Sequence, residues 1–491
     1  MTAMRKVSVA VPRPLPGCFD YLCADPVAVG ARVRVPFGRD RVIGVVLAVA
    51  AVDDSDGLKT VEAVLDDAPL LDAAQLALLR FAARYYQHPI GEVVQAALPV
   101  TGAAATADYW LRADGDEPLL SAEACAALTH ANMQRGLIHD ITTAEEFRAG
   151  DMVRAQIHAA AQGQDVALPA LYESGQPLTE QRWREVCDSR AIEEIGAHVS
   201  VRPAVTVRRT DVRLLPSDAG WFSAPHDVRY DALQGTVTDP GEAVLVLHGS
   251  RDGRYAFVET RDYCGWVDER ALAFTDRETW RGFAAPEEFF TVTTAQLRIA
   301  GEEQLLYQLG AKIPGRRSSD GAIHLSLPVR DAGGHLVVRK GRLPDDGRLV
   351  EGRLPLTHNN LVRLAFSSLY TEYGWGGANE GMDCSSYVQN IYRAMGVELP
   401  RDADMQERVR SLLPLAGLST AERYERLAQV PPGALLFRPG HVMLYLGRDA
   451  GNTPLVIHDI SSYYEDGVQQ YIRQVVVSTL DFQNSRGTAA I

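Results

Sequence analysis

From Val201 to about Leu349 the apolar residues come in short runs, among them Ala243–Leu247, Tyr255–Glu259 and Gly265–Val267, with Gly, Asp and Pro between them. No other feature constrains the fold as much. Short strands at this spacing predict small β-barrels of the SH3-like kind. Before them, residues 1 to about 105 alternate short β-like runs (Val7–Val11, Arg32–Pro36, Val42–Val49) with turns, then give a helix-like stretch from Ala73 to Tyr86. Residues from about 120 to 195 read as helices with polar loops, and the chain after Leu349 returns to mixed helix and strand. At 491 residues the chain exceeds what one core supports. The expected organisation is a β-rich domain over 1–105, a helical region over 106–200, barrels over 201–280 and 285–350, and an α+β domain over 351–491.

Composition removes several function classes. The net charge of −14 argues against a protein whose main business is coating nucleic acid. Its lysines are Lys6, Lys59, Lys312 and Lys340, and none follows a glycine. A Gly-Lys-Ser/Thr phosphate loop is therefore excluded, and with it an ATP-driven motor. The cysteines (Cys18, Cys23, Cys125, Cys187, Cys264, Cys384) form no Cys-x-x-Cys pair, which disfavours a zinc ribbon or a dithiol redox site. No metal or cofactor is expected. The first residues lack the apolar block of a secretory signal, and no stretch approaches a membrane span. The expected location is the cytoplasm, with export by a signal-independent route as the alternative.

Cys384 stands apart from the other thiols. After Met382-Asp383, the apolar residues Val388, Ile391, Tyr392 and Met395 follow helical spacing, with Asp383 as a good N-cap and Gly396 as a stop. Cys384 then falls in the first turn, where the helix dipole and free N–H groups favour a thiolate. Far along the chain, His441 opens an apolar strand after a Pro-Gly turn, and His458 lies on what should be the neighbouring strand. Thiolate, imidazole and a group fixing the imidazole tautomer would complete a catalytic triad. On spacing alone, a buried cysteine and two ordinary strand histidines explain the pattern equally well.

Five motifs in order tip that balance. Tyr373-Gly-Trp-Gly-Gly, Asp383-Cys-Ser-Ser, Leu399-Pro-Arg-Asp, Gly440-His-Val with Tyr445-Leu-Gly, and the later His458 resemble the NlpC/p60 peptidoglycan peptidases. The resemblance implies a papain-like core, Cys384 as nucleophile, His441 as base and His458 as the third member. It also implies cleavage of the D-γ-glutamyl–diamino acid bond of stem peptides or muropeptides. Val207-Arg-Arg-Thr-Asp-Val-Arg, Val246-Leu-His-Gly-Ser-Arg-Asp-Gly and Tyr263-Cys-Gly-Trp-Val-Asp are similar to the first SH3-like barrel of the same multidomain group. In that group the barrel walls one end of the cleft and helps hold the free amine of an N-terminal L-Ala. Asp383, Ser385, Tyr263 and Tyr373 are the substrate-contacting positions the resemblance implies, and Tyr263 reads equally as a barrel-core aromatic. Ala403 follows Pro400-Arg-Asp402 where many members have serine.

The front end resembles something unrelated, the N-terminal 3′-DNA-end-binding domain of the primosomal helicase family PriA. The carriers are Val11-Pro-Arg-Pro-Leu-Pro-Gly, Phe19-Asp-Tyr-Leu, Gly30-Ala-Arg-Val-Arg-Val-Pro-Phe-Gly-Arg39, Ile43-Gly-Val-Val, Lys59 and Tyr85-Tyr-Gln-His. The resemblance implies that Phe19, Asp20, Tyr21, Gly38 and Lys59 cradle a terminal nucleotide. Arg32, Arg34, Arg39 and Arg41 form a local cluster suited to phosphate. The expected whole is a multidomain α+β cysteine endopeptidase acting on peptidoglycan stem peptides. Two alternatives stand beside it: a DNA-end-binding protein with a degenerate peptidase, and a papain-like amidase or acyltransferase.

Overall fold

The computed structural model describes residues 4–13, 15, 17–38, 40–52, 57–66, 69–85, 88–96, 106–410, 412–465 and 468–480. Pro14, Pro16, Arg39, Tyr86 and Gln87, named above, lie outside the described residues. The chain forms two compact units. One comprises Met1–Tyr109, Arg448–Val456 and Ile460–Ile491, the other Trp110–Gly447 and Ile457–Asp459.

In the first unit, strands β1 (Arg5–Ala10), β2 (Phe19–Cys23), β3 (Arg32–Phe37), β4 (Asp40–Ala51) and β5 (Ala63–Val64) form an antiparallel sheet in the order β2-β1-β4-β3-β5. Two-residue alternation drives it, since Val7, Val9, Val33 and Val35 are fully buried while the residues between them reach toward solvent. A parallel bridge between Leu22 and Thr60, with the Leu22 N–H donating to Lys59 O at 2.9 Å, brings β2 back to the segment that pairs with β3. Strand β2, the five residues Phe19-Asp-Tyr-Leu-Cys, is not among the β-like runs that the sequence marks. Helix α1 (Ala73–Tyr85) follows, and then α2 (Ile90–Ala96).

The second unit opens with helices α3 (Ala122–Gln134), α4 (Gly150–Ala160) and α5 (Glu180–Asp188). A seven-stranded antiparallel sheet follows, built from β6 (Arg202–Thr206), β7 (Thr210–Arg213), β8 (Gln234–Thr238), β9 (Ala243–Gly249), β10 (Tyr255–Glu259), β11 (Cys264–Asp268) and β12 (Leu272–Phe274). Its order is β8-β7-β11-β10-β9-β6-β12. Phe257 and Trp266, wholly buried, meet edge-to-face at 5.4 Å in its core. Helix α6 (Arg277–Ala284), capped by Asp276 accepting from Thr279 N–H at 2.8 Å, leads into the second barrel-like domain. There β13 (Phe289–Val292), β14 (Gln296–Ile299), β15 (Glu302–Gln308), β16 (Lys312–Arg317), β17 (Ile323–Arg330), β18 (Leu336–Leu343) and β19 (Leu349–Glu351) form a sheet ordered β18-β17-β16-β13-β19, plus the β14–β15 hairpin.

Helices α7 (His358–Ser367) and α8 (Cys384–Ala394) and the hairpin of β20 (Leu435–Arg438) and β21 (His441–Arg448) frame the remainder of this unit. The hairpin turns through Pro439-Gly440, with Gly440 at φ +73°. Strand β22 (Pro454–Glu465) carries Ile457–Asp459 into the same unit. Helical spacing predicted one buried stripe on α8. Instead every residue from Cys384 to Ile391 is buried, including Ser385, Gln389 and Asn390. The polar ones survive because neighbours satisfy them: Gln389 Nε2 donates to Asp262 Oδ2 at 2.6 Å and to Leu399 O at 2.8 Å. Among the described residues no helix is long and apolar enough to cross a membrane.

Candidate active site

Cys384 is the first residue of α8, and Asp383 caps the helix. The cap is reciprocal: Ser386 N–H donates to Asp383 Oδ1 at 2.9 Å, and Asp383 N–H donates to Ser386 Oγ at 2.9 Å. The backbone N–H of Val442, next to His441, lies close enough to the Cys384 sulfur to favour its thiolate. Position in the first turn led us to expect a thiolate. Burial instead pushes the resting thiol up to about 12, with the Asp383 and Asp459 carboxylates adding to the rise and the Val442 N–H and Arg401 opposing it. Desolvation of a wholly buried sulfur outweighs a helix dipole worth at most about 2 kcal/mol.

His441 and His458 are both buried, and His441 Nε2 lies 2.7 Å from His458 Nδ1. Burial drives both imidazoles toward the neutral form. His441 is held well below its ordinary range, helped by His458 and Arg438, and His458 falls to about 3, helped by Arg438. Arg438 pairs with His441 across the β20–β21 hairpin. No sequence motif singles it out, because only that register brings its charge to the two histidines.

The predicted substrate positions divide. Asp383 is not open to a ligand: Oδ1 accepts from Ser386 N–H and from Ser385 Oγ at 3.1 Å, and Oδ2 from Gly376 N–H at 3.1 Å and Arg401 Nη2 at 2.7 Å. Arg401 Nη1 also donates to Ser385 Oγ at 2.8 Å, and its Nε to Thr236 Oγ1 at 2.6 Å. Asp383 and Ser385 therefore belong to a buried hydrogen-bond network joining helix and barrel. Tyr263 is buried in the barrel core, and its hydroxyl accepts from Gln162 Nε2 at 2.9 Å. Burial raises its phenol, and the Asp402 carboxylate raises it further.

Asp402 is the carboxylate the sequence passed over, although it stands in the quoted Pro400-Arg-Asp run. It remains part-exposed, its side chain makes no cap bond, and burial raises its pKa against the pull of Arg401. Tyr373 forms a backbone bridge with Met382, and burial followed by Asp383 and Cys384 drives its phenol far up. The turn after it needs its glycines. Gly376 and Gly377 have φ of +57° and +82°, and a Cβ would come within 2.7 Å of Gln234 Cγ at the first and 2.5 Å of Val237 Cγ2 at the second. Gln234 Nε2 donates to Gly376 O at 3.1 Å, and Arg209 Nη2 donates to Gly377 O at 2.7 Å. The barrel thus grips the turn that abuts the cap of Cys384. Among the described residues no His, Cys, Asp and Glu cluster could hold a metal.

In the first unit, Phe19 packs edge-to-face on Phe37 at 4.9 Å, and Tyr21 Oη donates to Pro36 O at 3.3 Å. Asp20 accepts from Ser8 Oγ at 2.6 Å and pairs with Lys6 Nζ at 2.8 Å, and these two hold its carboxyl below the usual range. Gly38, at φ +62° with open space around its Cα, follows Phe37, and exposed Lys59 runs beside Leu22. The fold gathers these residues at the ends of β2 and β3. Of the expected basic cluster, Arg32 is tied to Asp66 at 2.9 Å and Arg41 to Glu62 at 3.2 Å.

Known proteins match the chain in pieces. Residues 370–477 match the NlpC/P60 family, residues 221–268 an SH3 domain of the SH3b1 type, and residues 8–99 the 3′DNA-binding domain (3′BD) of PriA. The chain therefore carries a PriA-type 3′DNA-binding domain, an SH3 domain and an NlpC/P60 cysteine-peptidase fold, in that order. It is 41% identical over 101 residues to the replication restart protein PriA of Haemophilus influenzae, covering 20% of this chain and 14% of that protein. Over 90 residues it is 39% identical to dipeptidyl-peptidase 6 of Lysinibacillus sphaericus, covering 18% of this chain and 29% of that protein. The chain thus spans under a third of either relative's length. A solved NlpC/P60 endopeptidase from Photobacterium damselae subsp. piscicida shares the fold at a TM-score of 0.63 and 15% identity, covering 76% of this chain and 90% of that one.

Proposed function

We propose that this chain is a cysteine endopeptidase that hydrolyses the D-γ-glutamyl–diamino acid bond of peptidoglycan stem peptides. The observation that carries the reading is the His441–His458 contact at 2.7 Å, buried as Cys384 is buried at the start of its helix. With His441 Nε2–H donating to His458 Nδ1, the lone pair left on His441 is at Nδ1. That nitrogen takes the Cys384 proton as the sulfur attacks the amide carbon, so the costly charge separation arises with substrate bound. The imidazolium returns the proton to the departing amine as the C–N bond breaks, and water then cleaves the thioester. Asp402, whose carboxylate has no hydrogen-bond or ion-pair partner among the described residues, receives the free ammonium of an N-terminal L-Ala. The dipeptidyl-peptidase name of the Lysinibacillus sphaericus relative supports release of an N-terminal dipeptide. Incubation with L-Ala-γ-D-Glu-diaminopimelate and mass spectrometry tests this: wild type should release L-Ala-γ-D-Glu, and Cys384→Ser should not. Cleavage by the serine variant would remove Cys384 from its role.

A second activity is supported by the front unit: binding of a DNA 3′ end at Phe19, Asp20, Tyr21, Gly38 and Lys59. The match over residues 8–99 and the gathering of these residues favour it. Free 3′ ends should outcompete 3′-phosphorylated ends, and Asp20→Ala should erase that preference. Equal binding of both ends by wild type would leave the module a fold without the activity.

A further inference from the structure

Cations from three elements converge on one open cavity of about 1150 Å³ in the second barrel-like domain. Arg281 comes from α6, Arg316 and Arg317 from β16, and Lys340 from β18. Sheet register explains the convergence. On β17, Ile323, Leu325 and Leu327 are buried, so His324 and Ser326 project from the opposite face. Arg316 pairs with His324, His324 with Arg342, and Ser326 with Lys340, which puts all of them on that outer face. Arg316 and Arg342 stand two strand spacings apart, about 10 Å, and Lys340 lies two residues from Arg342, about 7 Å. Such separations do not exceed the Debye length at physiological salt by much, so the charges sum into one field.

Two ordinary explanations leave part of this arrangement over. Strand β18 is an edge of its sheet, and cations on an edge guard against stray pairing, which accounts for Lys340 and Arg342. It does not account for Arg316 on an interior strand or Arg281 on a helix. Neutralisation by neighbours accounts for Arg317, held by Asp345 at 2.7 Å and Glu351 at 3.3 Å, and for Arg342, held by Asp320 at 3.1 Å. Among the described residues Arg281 and Arg316 have no carboxylate partner, and Lys340 donates only to Ser326 Oγ at 3.0 Å. Glu287 and Glu288 also line the cavity, against the three cations Arg281, Arg316 and Lys340, in a chain whose net charge is −14.

We infer that this face binds the phosphate backbone of duplex DNA. Guanidinium forks and hydroxyls from Ser318, Ser319 and Ser326 are suited to phosphate oxygens, and an open cavity on a sheet face admits a polymer rather than enclosing a small molecule. DNA is favoured over other polyanions because residues 8–99 of the same chain match a 3′DNA-binding domain. The contacts would be to phosphate alone, and so independent of base sequence. The inference does not depend on the peptidase reading.

The test uses the full chain and a labelled duplex whose 3′ ends are phosphorylated, so that end recognition contributes nothing. Wild type and the variant Arg281→Gln/Arg316→Gln/Lys340→Gln are titrated across salt concentrations. Wild type should bind, and the variant should bind at least tenfold more weakly at low salt. The log–log salt slope should shrink by about 0.9 for each lost contact, about 2.7 in all. An unchanged circular-dichroism spectrum and melting temperature in the variant report an intact fold. Wild type failing to bind the blocked duplex, or a variant with unaltered affinity and slope, overturns the proposal. So does a variant that loses binding to purified peptidoglycan sacculi or anionic vesicles while its DNA binding stands.

Discussion

The imidazoles of His441 and His458 share one short contact, 2.7 Å from Nε2 of the first to Nδ1 of the second. In the proposed mechanism this contact makes their roles unequal: His441 would move protons, whereas His458 would fix the tautomer that leaves His441 Nδ1 as the base. His441→Ala should lower kcat/KM by about 10³-fold or more, and His458→Ala by less, with Gln at 458 recovering part of the loss. Steady-state kinetics on the tripeptide checks it. A larger loss at His458 than at His441 would exchange the roles.

The same pair sets a pH dependence of stability. In the folded state burial holds His441 well below its ordinary range and His458 at about 3, whereas in the unfolded chain each titrates near about 6.5. The unfolded chain therefore binds protons first. The stability these groups contribute is complete above about pH 6.5 and is lost as pH falls below it, for His458 down to about pH 3. Thermal melts between pH 7.5 and 5 should show a falling Tm, and His458→Gln should flatten the slope. An unchanged slope in that variant would mean His458 takes a proton as readily folded as unfolded.

Asp402 should decide amine recognition. A charge-assisted hydrogen bond contributes about 1.5–3 kcal/mol, or one to two decades in kcat/KM. Without the hydroxyl that Ala403 lacks, the lower end is expected. Asp402→Asn should lower kcat/KM about tenfold for the free tripeptide and leave the N-acetylated one unchanged. Comparable values for both substrates in wild type would refute recognition of the ammonium.

The Asp383–Arg401 pair predicts a structural lesion. Burial would raise the Asp383 pKa, but the guanidinium at 2.7 Å keeps it below the usual range, and both side chains are almost wholly enclosed. Arg401→Met leaves a buried carboxylate without its cation, a loss of about 3–5 kcal/mol. Denaturant unfolding should show it, and adding Asp383→Asn should restore part of the stability. A single-variant loss under about 1 kcal/mol would mean that water replaces the guanidinium there.

The chain's local code was legible where short-range physics decides. Alternation marked Val7–Val11 and Arg32–Pro36 as strands, helical spacing with Asp383 and Gly396 marked α8, and the Pro-Gly turn placed His441 at a strand start. The ordered motifs from Tyr373 to His458 also pointed to the NlpC/P60 fold that residues 370–477 match. What the sequence left open depends on distant partners. Asp383 looked like a ligand-facing carboxylate until Arg401 and Gly376 were seen to occupy it. Asp402 gained interest only because Arg401 turns to Asp383 and leaves it unengaged. Cys384 looks like a ready thiolate by its place in the first turn, yet burial in the fold raises it instead. Desolvation is a property of the whole surrounding volume, and no local window of residues records what will fill that volume.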